Sequence, residues 1–305
     1  MHPHNPISCL LVAIALLVAT NTPSMAGEKP SAAKHDGPPG KPYVYKTSAG
    51  EERSMEIYFP AGHDAAKAKV PGLILFHGGG WRRGNPSQFR TVCAYFASRG
   101  LVTATVEYQL PDADAIKALP AGQSYKRLCI TDAKSAIRWF KTHAKELGID
   151  PDRIITGGGS AGAHISALAT HAPDFDDPAD PKGIDTRVAA YLWFNPAFSP
   201  DDSKDPAIDI LSVMKPALPP ALVMFGDKDE WLKGWTEAHR KWKSLGVESI
   251  EYLVAPNQGH GFFNLPPWHS VTLIAADDFL VKHGFLTGKA TLTPPDADKR
   301  LHAVP

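Results

Sequence analysis

The sequence predicts an α/β fold with a mainly parallel central sheet and helices on both faces. Two observations carry that prediction. Short aliphatic and β-branched runs alternate along the chain with longer segments of helical period, and one of those runs passes into a helix through a glycine-flanked serine. A strand buried on both faces reads as an unbroken apolar stretch, and parallel strands need a crossover helix between them. With 305 residues and 43% apolar content, the chain can bury one sizeable core.

The elements follow in order. Residues 43–47 (YVYKT) and 53–59 (RSMEIYF) read as paired strands, and residues 70–76 (VPGLILF) as a buried strand. A helix is predicted over 86–99, a strand over 101–110 (LVTATVEYQL), and a long helix from about Arg127 to Leu147. The strand beginning at Ile154 turns at Ser160 into another helix. Residues 189–194 (AAYLWF), 221–225 (ALVMF) and 249–254 (SIEYLV) complete the strands, and 270–283 form the last helix. No internal repeat is present. The organisation reads as a signal peptide at 1–26, a flexible Gly/Pro/Lys/Ala lead-in at 27–41, a catalytic domain at 42–288 and a loose proline-rich tail at 289–305.

Three segments carry chemistry. In IITGGGSAGAHISAL, Gly158 and Gly162 bracket Ser160 in G-x-S-x-G. A strand that passes at once into a helix needs a turn so tight that its flanks tolerate almost no side chain, and the strain lifts the serine hydroxyl into solvent. Upstream, the 70–76 strand breaks into His77, Gly78, Gly79, Gly80 and Trp81. Glycine amides unobstructed by side chains can converge on an oxyanion, and losing one such donor costs about 3 to 4 kcal/mol. Gly78 and Gly79 are the expected donors there, with Ala161 after the serine as the third. Downstream, the strand over 221–225 ends in Gly226, Asp227, Lys228 and Asp229. Asp229 is the expected carboxylate because it lies past the turn that Asp227 shapes. The strand over 249–254 leads to His260, which Gly259 and Gly261 leave free to swing toward the serine. Of the 13 histidines it alone combines a strand-end loop, flanking glycines and a place downstream of Ser160 and Asp229. His164, one turn past the serine on the same helix, is expected to pack or to hold a supporting hydrogen bond.

On these segments, together with DAKSAIRW at 132–139 and GIDPDRIITGGGSAGAH at 148–164, the chain resembles the α/β-hydrolases of the HGGG esterase group, related to the hormone-sensitive-lipase-like and bacterial carbohydrate-esterase branches. The resemblance covers roughly residues 42–288. It implies the α/β-hydrolase fold with a minimal lid and the chain order serine, acid, histidine. It also implies a serine carboxylesterase acting through an acyl-enzyme on short-chain or carbohydrate-linked esters, acetyl or feruloyl in type. No metal or organic cofactor is expected. Gln109 departs from the pattern, since such esterases often carry arginine after the tyrosine, and Ala163 stands where many have glycine. An amidase or peptidase resembling the aryl-formamide hydrolases, and a silenced hydrolase fold that only binds, are the alternative readings.

Lys plus Arg equals Asp plus Glu at 32 each, so no charge excess recruits nucleic acid or anionic membrane. The expected partner is a small or polymer-linked ester. Residues 7–19 are an apolar run too short to span a bilayer, and Ser24, Met25 and Ala26 offer small residues for cleavage after Ala26. The only positive groups ahead of that run are the terminal amine, His2 and His4. The protein is therefore expected outside the cytoplasm, with no membrane anchor after cleavage. Cys9 falls in the removed segment. Cys93 and Cys129 read onto helices that, in the resembled fold, cover opposite faces of the sheet, and are expected as two separate buried thiols. The proline-rich connection at 199–219 leaves little room for a lid. Trp81, Trp193, Trp231, Trp235 and Trp268 fall near strand ends or loops, where an aromatic face could stack on a sugar or an aromatic acyl group, or simply pack.

Overall fold

A computed structural model describes residues 1, 37–48, 50–293, 295 and 298–304. The predicted signal peptide beyond Met1, and the lead-in up to residue 36, lie outside the described residues. The strands are β1 (Lys41–Ser48), β2 (Glu51–Tyr58), β3 (Val70–Phe76), β4 (Val102–Val106), β5 (Ile149–Gly159), β6 (Ala190–Phe194), β7 (Ala221–Gly226), β8 (Ile250–Ala255) and β9 (His302–Ala303). The helices are α1 (Arg90–Ser98), α2 (Ala113–Lys117), α3 (Lys126–Thr142), α4 (Ala144–Leu147), α5 (Ala161–His171), α6 (Ile210–Val213), α7 (Leu232–Ser244) and α8 (Trp268–Lys282).

The strands form one sheet in the order β1-β2-β4-β3-β5-β6-β7-β8-β9. The run from β4 to β8 is parallel throughout; β1, β2 and β9 join antiparallel. Every residue of β4, β6 and β7 is buried, which is why these strands read as continuous apolar runs rather than as alternating ones. Core side chains gather on both faces of the sheet, for example Ile74 with Ile137 and Phe140 in one cluster, and Leu75 with Phe96 and Phe279 in another. All eleven residues of α5 are buried, so this helix lacks the polar face of an ordinary surface helix, and it packs on α3 as well as on the sheet.

Several boundaries differ from the sequence expectation for identifiable reasons. The predicted long helix stops at Thr142 and restarts at Ala144, because His143 leaves the helical region (φ −92°, ψ 16°) and stacks on Trp139 with ring centroids 4.0 Å apart. The strand expected over 101–110 ends at Val106, where the chain leaves the sheet and the Gln109 N–H donates to the buried carboxylate of Asp132 at 2.8 Å. The segment over 86–99 opens with a 3₁₀ turn, Pro86–Phe89, before α1. The largest correction concerns the tail. Residues 289–305 are not loose throughout: β9 pairs with β8 through Leu253 and Ala303 and through Val254 and His302, and Leu301 and Leu292 pack on the core beneath. Two apolar side chains and an unpaired sheet edge offset the ordering cost that the proline-rich composition alone suggested would prevail.

Cys93 and Cys129 are free and buried, on α1 and α3 and in separate clusters, and burial pushes both thiols well above the ordinary range. Among the described residues, no helix is long and apolar enough to cross a membrane.

Two buried imidazoles set an acid limit on stability. Burial holds the pKa of both His77 and His171 down to about 4, leaving each neutral in the fold. In the unfolded chain both protonate near pH 6.5. The unfolded state then binds more protons than the folded one between pH 6.5 and 4, and stability falls as pH drops through that window at up to about 1.4 kcal/mol per unit per group. Thermal melts from pH 7 to 4 should show Tm declining from about pH 6.5 downward, and His171→Gln should shallow that decline. A slope unchanged by the substitution would overturn the assignment.

Candidate active site

The candidate chemistry collects at the carboxyl ends of neighbouring parallel strands, the edge where an open α/β sheet leaves a crevice. β5 delivers Ser160, β7 delivers Asp229 three residues past its end, β8 delivers His260 five residues past its end, and β3 opens into the glycine loop. Ser160 sits at φ 53°, ψ −117°, a conformation unusual for a residue with a side chain. Neighbouring groups hold it there. Its N–H donates to Phe194 O at 2.9 Å, and its carbonyl accepts from Ala197 N–H at 3.1 Å. Room for the turn depends on Gly162, where a Cβ would lie 1.9 Å from Phe76 O.

His260 joins the other two side chains. Its Nε2 is 2.7 Å from Ser160 Oγ, and its Nδ1 is 2.9 and 3.0 Å from the two carboxylate oxygens of Asp229. The Nδ1–H donates to the carboxylate, which leaves Nε2 as the acceptor for the serine proton. The Asp229 side chain is fully buried and also takes the Trp231 N–H at 2.9 Å, which fixes its orientation. His260 keeps 26% of its side-chain surface exposed, so the reacting end of the constellation faces the crevice. Asp227, the competing carboxylate, is exposed and holds the turn through its N–H to Ala255 O.

The glycine loop corrects one expected donor. The Gly78 N–H is donated to the Gln88 side-chain Oε1 at 2.6 Å and so is not available to an oxyanion. Gly79 and Gly80 follow with φ of 118° and 65°, and a Cβ on Gly79 would lie 1.9 Å from Arg83 O. Among the described residues no hydrogen-bond partner takes the amides of Gly79, Gly80 or Ala161. Gly80 thus replaces Gly78 beside Gly79 and Ala161 as a candidate donor. Sequence reasoning missed the shift because three glycines in a row are indistinguishable until a side chain claims one amide.

A charged cluster supports Trp81, which has φ 60° directly after the glycines. Lys126 Nζ lies 3.6 Å from the Trp81 ring centre and 2.5 Å from Asp202 Oδ1. His164 Nδ1 accepts from the Trp81 indole N–H at 3.2 Å, while its Nε2 is 3.1 Å from Ile208 O and 3.3 Å from Asp202 Oδ2. Burial lowers the pKa of both His164 and Lys126; burial also pushes Asp202 up, but His164 and Lys126 together hold it below its ordinary value. A neutral His164 with Nδ1 as acceptor is the tautomer that the Trp81 bond requires.

The five tryptophans separate clearly. Trp193 and Trp235 are fully buried, Trp81 and Trp268 nearly so, and each packs in the core against other rings, so none of these four offers a face to a ligand. Trp231 alone of the five is partly exposed, with its ring 6.2 Å from that of His260. Residues that sequence reasoning passed over include Gln88, Asn264 and Asn195. Asn195, with Pro196 behind it, closes an apolar run, an ordinary turn signal. Nothing in sequence marks Gln88 or Asn264. No group of three or more His, Cys, Asp or Glu side chains among the described residues is gathered to hold a metal ion.

The family model BD-FAE matches residues 55–192. The chain is 34% identical over 129 residues to the probable carboxylic ester hydrolase LipM of Mycobacterium tuberculosis, an alignment covering 41% of this chain and 27% of LipM. It is 25% identical over 244 residues to the carboxylesterase NlhH of the same organism, covering 69% of this chain and 71% of NlhH. In three dimensions it is similar to Thermogutta terrifontis esterase 2, at TM-score 0.74 and 31% identity over 83% of this chain and 97% of that one. That esterase has also been solved with propionate bound, with butyrate bound, and phosphorylated by paraoxon.

The two carboxylates of the 226–229 turn give a discriminating measurement. Asp229→Asn should lower the rate of p-nitrophenyl ester hydrolysis by roughly 10⁴-fold, since the imidazole loses the partner that sets its tautomer. Asp227→Asn should leave the rate within about threefold, the range of an ordinary exposed substitution. The reverse ranking would reassign the acid.

Proposed function

The chain belongs to the α/β-hydrolase esterases of the hormone-sensitive-lipase-like type, carboxylic ester hydrolases, and on that footing we propose that it cleaves short-chain or carbohydrate-linked esters through Ser160, His260 and Asp229. One observation carries the proposal: a single imidazole is within hydrogen-bond distance of a strained serine hydroxyl on one side and a buried carboxylate on the other.

In this mechanism His260 Nε2 takes the Ser160 proton as Oγ attacks the ester carbonyl. Asp229 holds the ring and stabilises its charged form. Negative charge develops on the former carbonyl oxygen, and the amides of Gly79, Gly80 and Ala161 are the donors proposed to receive it. The imidazolium returns its proton to the departing alcohol, leaving an acyl-serine. Water activated by the same imidazole then attacks the acyl carbon, releases the acid and restores the serine.

The preference for short acyl groups draws support from the short connections around the crevice. Residues 107–125 carry only α2, and residues 195–220 carry only a 3₁₀ turn and α6, so among the described residues these two connections are too short to build a long apolar tunnel over the serine. Propionate and butyrate bound to the similar Thermogutta esterase point the same way. The carbohydrate-linked substrate is favoured by the partly exposed Trp231 beside His260, an aromatic face on which a sugar ring or an aromatic acyl group could stack. Export is proposed from the apolar run at 7–19 and the small residues before Gly27.

Hydrolysis of p-nitrophenyl esters from acetate to decanoate, beside acetylated xylan, methyl ferulate and a matched anilide, is the test. Expected are activity on acetate and butyrate at least about tenfold above decanoate, little on the anilide, and a loss of at least roughly 10⁴-fold in Ser160→Ala. Faster cleavage of the anilide would make the protein an amidase, and undiminished activity in the variant would sink the serine mechanism. Amino-terminal sequencing of the cell-envelope or medium fraction should begin at Gly27.

A further inference from the structure

Beyond the three reacting side chains, the loop after β3 and the loop after β8 are joined by a directed run of amide hydrogen bonds. The Gly78 N–H donates to Gln88 Oε1 at 2.6 Å, and Gln88 Nε2–H donates to Asn264 Oδ1 at 3.1 Å. Asn264 Nδ2–H then donates to Gly261 O at 3.0 Å, and the Gly261 N–H donates to Asn195 Oδ1 at 3.3 Å. Each carboxamide of Gln88 and Asn264 uses its oxygen toward one loop and its nitrogen toward the other. Gly78 precedes Gly79 and Gly80; Gly261 follows His260. Asn195, held at φ 41° and fully buried, ends the run just past β6, the strand between those that deliver Ser160 and Asp229.

We propose that Gln88, Asn264 and Asn195 form an amide relay that fixes the distance between the oxyanion loop and the His260 loop, making them positioning residues for the reaction. The proposal rests on the serine-esterase reading above. None of the three is placed to touch the reacting atoms. What they share is the spacing between two groups that must act together, since the imidazole moves the serine proton while the loop amides receive the charge that the attack creates. A shift of about 1 Å in such a spacing can cost on the order of 10²-fold in rate. Amides suit the task at Gln88 and Asn264 because one planar group donates and accepts at once without carrying charge, while Asn195 closes the run as an acceptor, its buried Nδ2 having no partner among the described residues. A carboxylate in place of Gln88 keeps the acceptor for Gly78 but has no N–H for Asn264, and a carboxylate at Asn264 faces the Gly261 carbonyl with no donor. The nearly isosteric Gln88→Glu and Asn264→Asp therefore cut the relay at known bonds while leaving side-chain volume intact.

The experiment measures kcat and KM on p-nitrophenyl butyrate, and the paraoxon labelling rate at Ser160 by mass spectrometry, for wild type, Gln88→Glu, Asn264→Asp, Gln88→Leu, Asn264→Leu and the Gln88→Leu/Asn264→Leu double variant. Melting temperatures identify folded samples, and the isosteric pair serves if a leucine variant does not fold. The relay predicts that each single variant loses about 10- to 100-fold in kcat and in labelling rate with KM changed less than about threefold. It also predicts that the double variant loses no more than the worse single, because one cut already uncouples the loops. Additive losses in the double variant, losses confined to KM, or unchanged kcat in the folded singles would each overturn the relay while leaving the esterase reading intact. Wild-type labelling at a residue other than Ser160, or no labelling at all, would overturn the esterase reading itself and the relay with it.

Discussion

The strained turn at Ser160 is the constraint on which the rest of the site depends. A strand can pass directly into a helix only if the residue between them leaves the ordinary backbone regions, and such a conformation costs on the order of 1 to 3 kcal/mol. Here it is held by the Ser160 N–H on Phe194 O and by the Ala197 N–H on Ser160 O, both supplied by the end of β6. Next to it, Gly162 lets α5 start against the carbonyl of Phe76, so β3, β5 and β6 meet around one residue. The place of the glycine loop after β3 follows from the same contact.

That geometry places burial and electrostatics in a definite relation. The sheet and its helices keep Asp229 out of water while His260 faces the crevice, an arrangement in which a carboxylate can orient an imidazole that still reaches a substrate. The Lys126, Asp202 and His164 cluster packs against Trp81. Breaking one partner of such a buried pair typically costs 3 to 5 kcal/mol, because the remaining charge is left without compensation. The cluster thus ties the residue directly after the glycine loop to α3, α5 and the 3₁₀ turn at Pro200–Lys204. The functional loops are irregular in backbone, yet each is fixed by polar contacts to regular elements.

Much of the fold and the candidate chemistry was legible in the sequence because their causes are local. Continuous apolar runs mark strands buried on both faces, and the glycines around Ser160 are required by contacts within a few residues of chain. The position of Asp229 past the turn, and of His260 between two glycines, follows from what a loop at a strand's end can place. The misreadings have a common cause. The break at His143, the early end of β4 and the docking of Leu301 and His302 onto β8 each depend on a partner far along the chain or on a ring contact that propensity does not record.

The sequence by itself determined the parallel α/β architecture and marked Ser160, Asp229 and His260, behind a glycine loop, as the candidate serine, acid and histidine, because each is written in the backbone needs of a short segment. Only the tertiary structure decided which glycine amide is already occupied, which of the five tryptophans near strand ends stays partly exposed, and that Gln88 and Asn264 bridge two loops with Asn195 anchoring one of them. Those outcomes depend on side-chain hydrogen bonds and packing between residues as distant as Gln88 and Asn264, whose encounter no local pattern encodes.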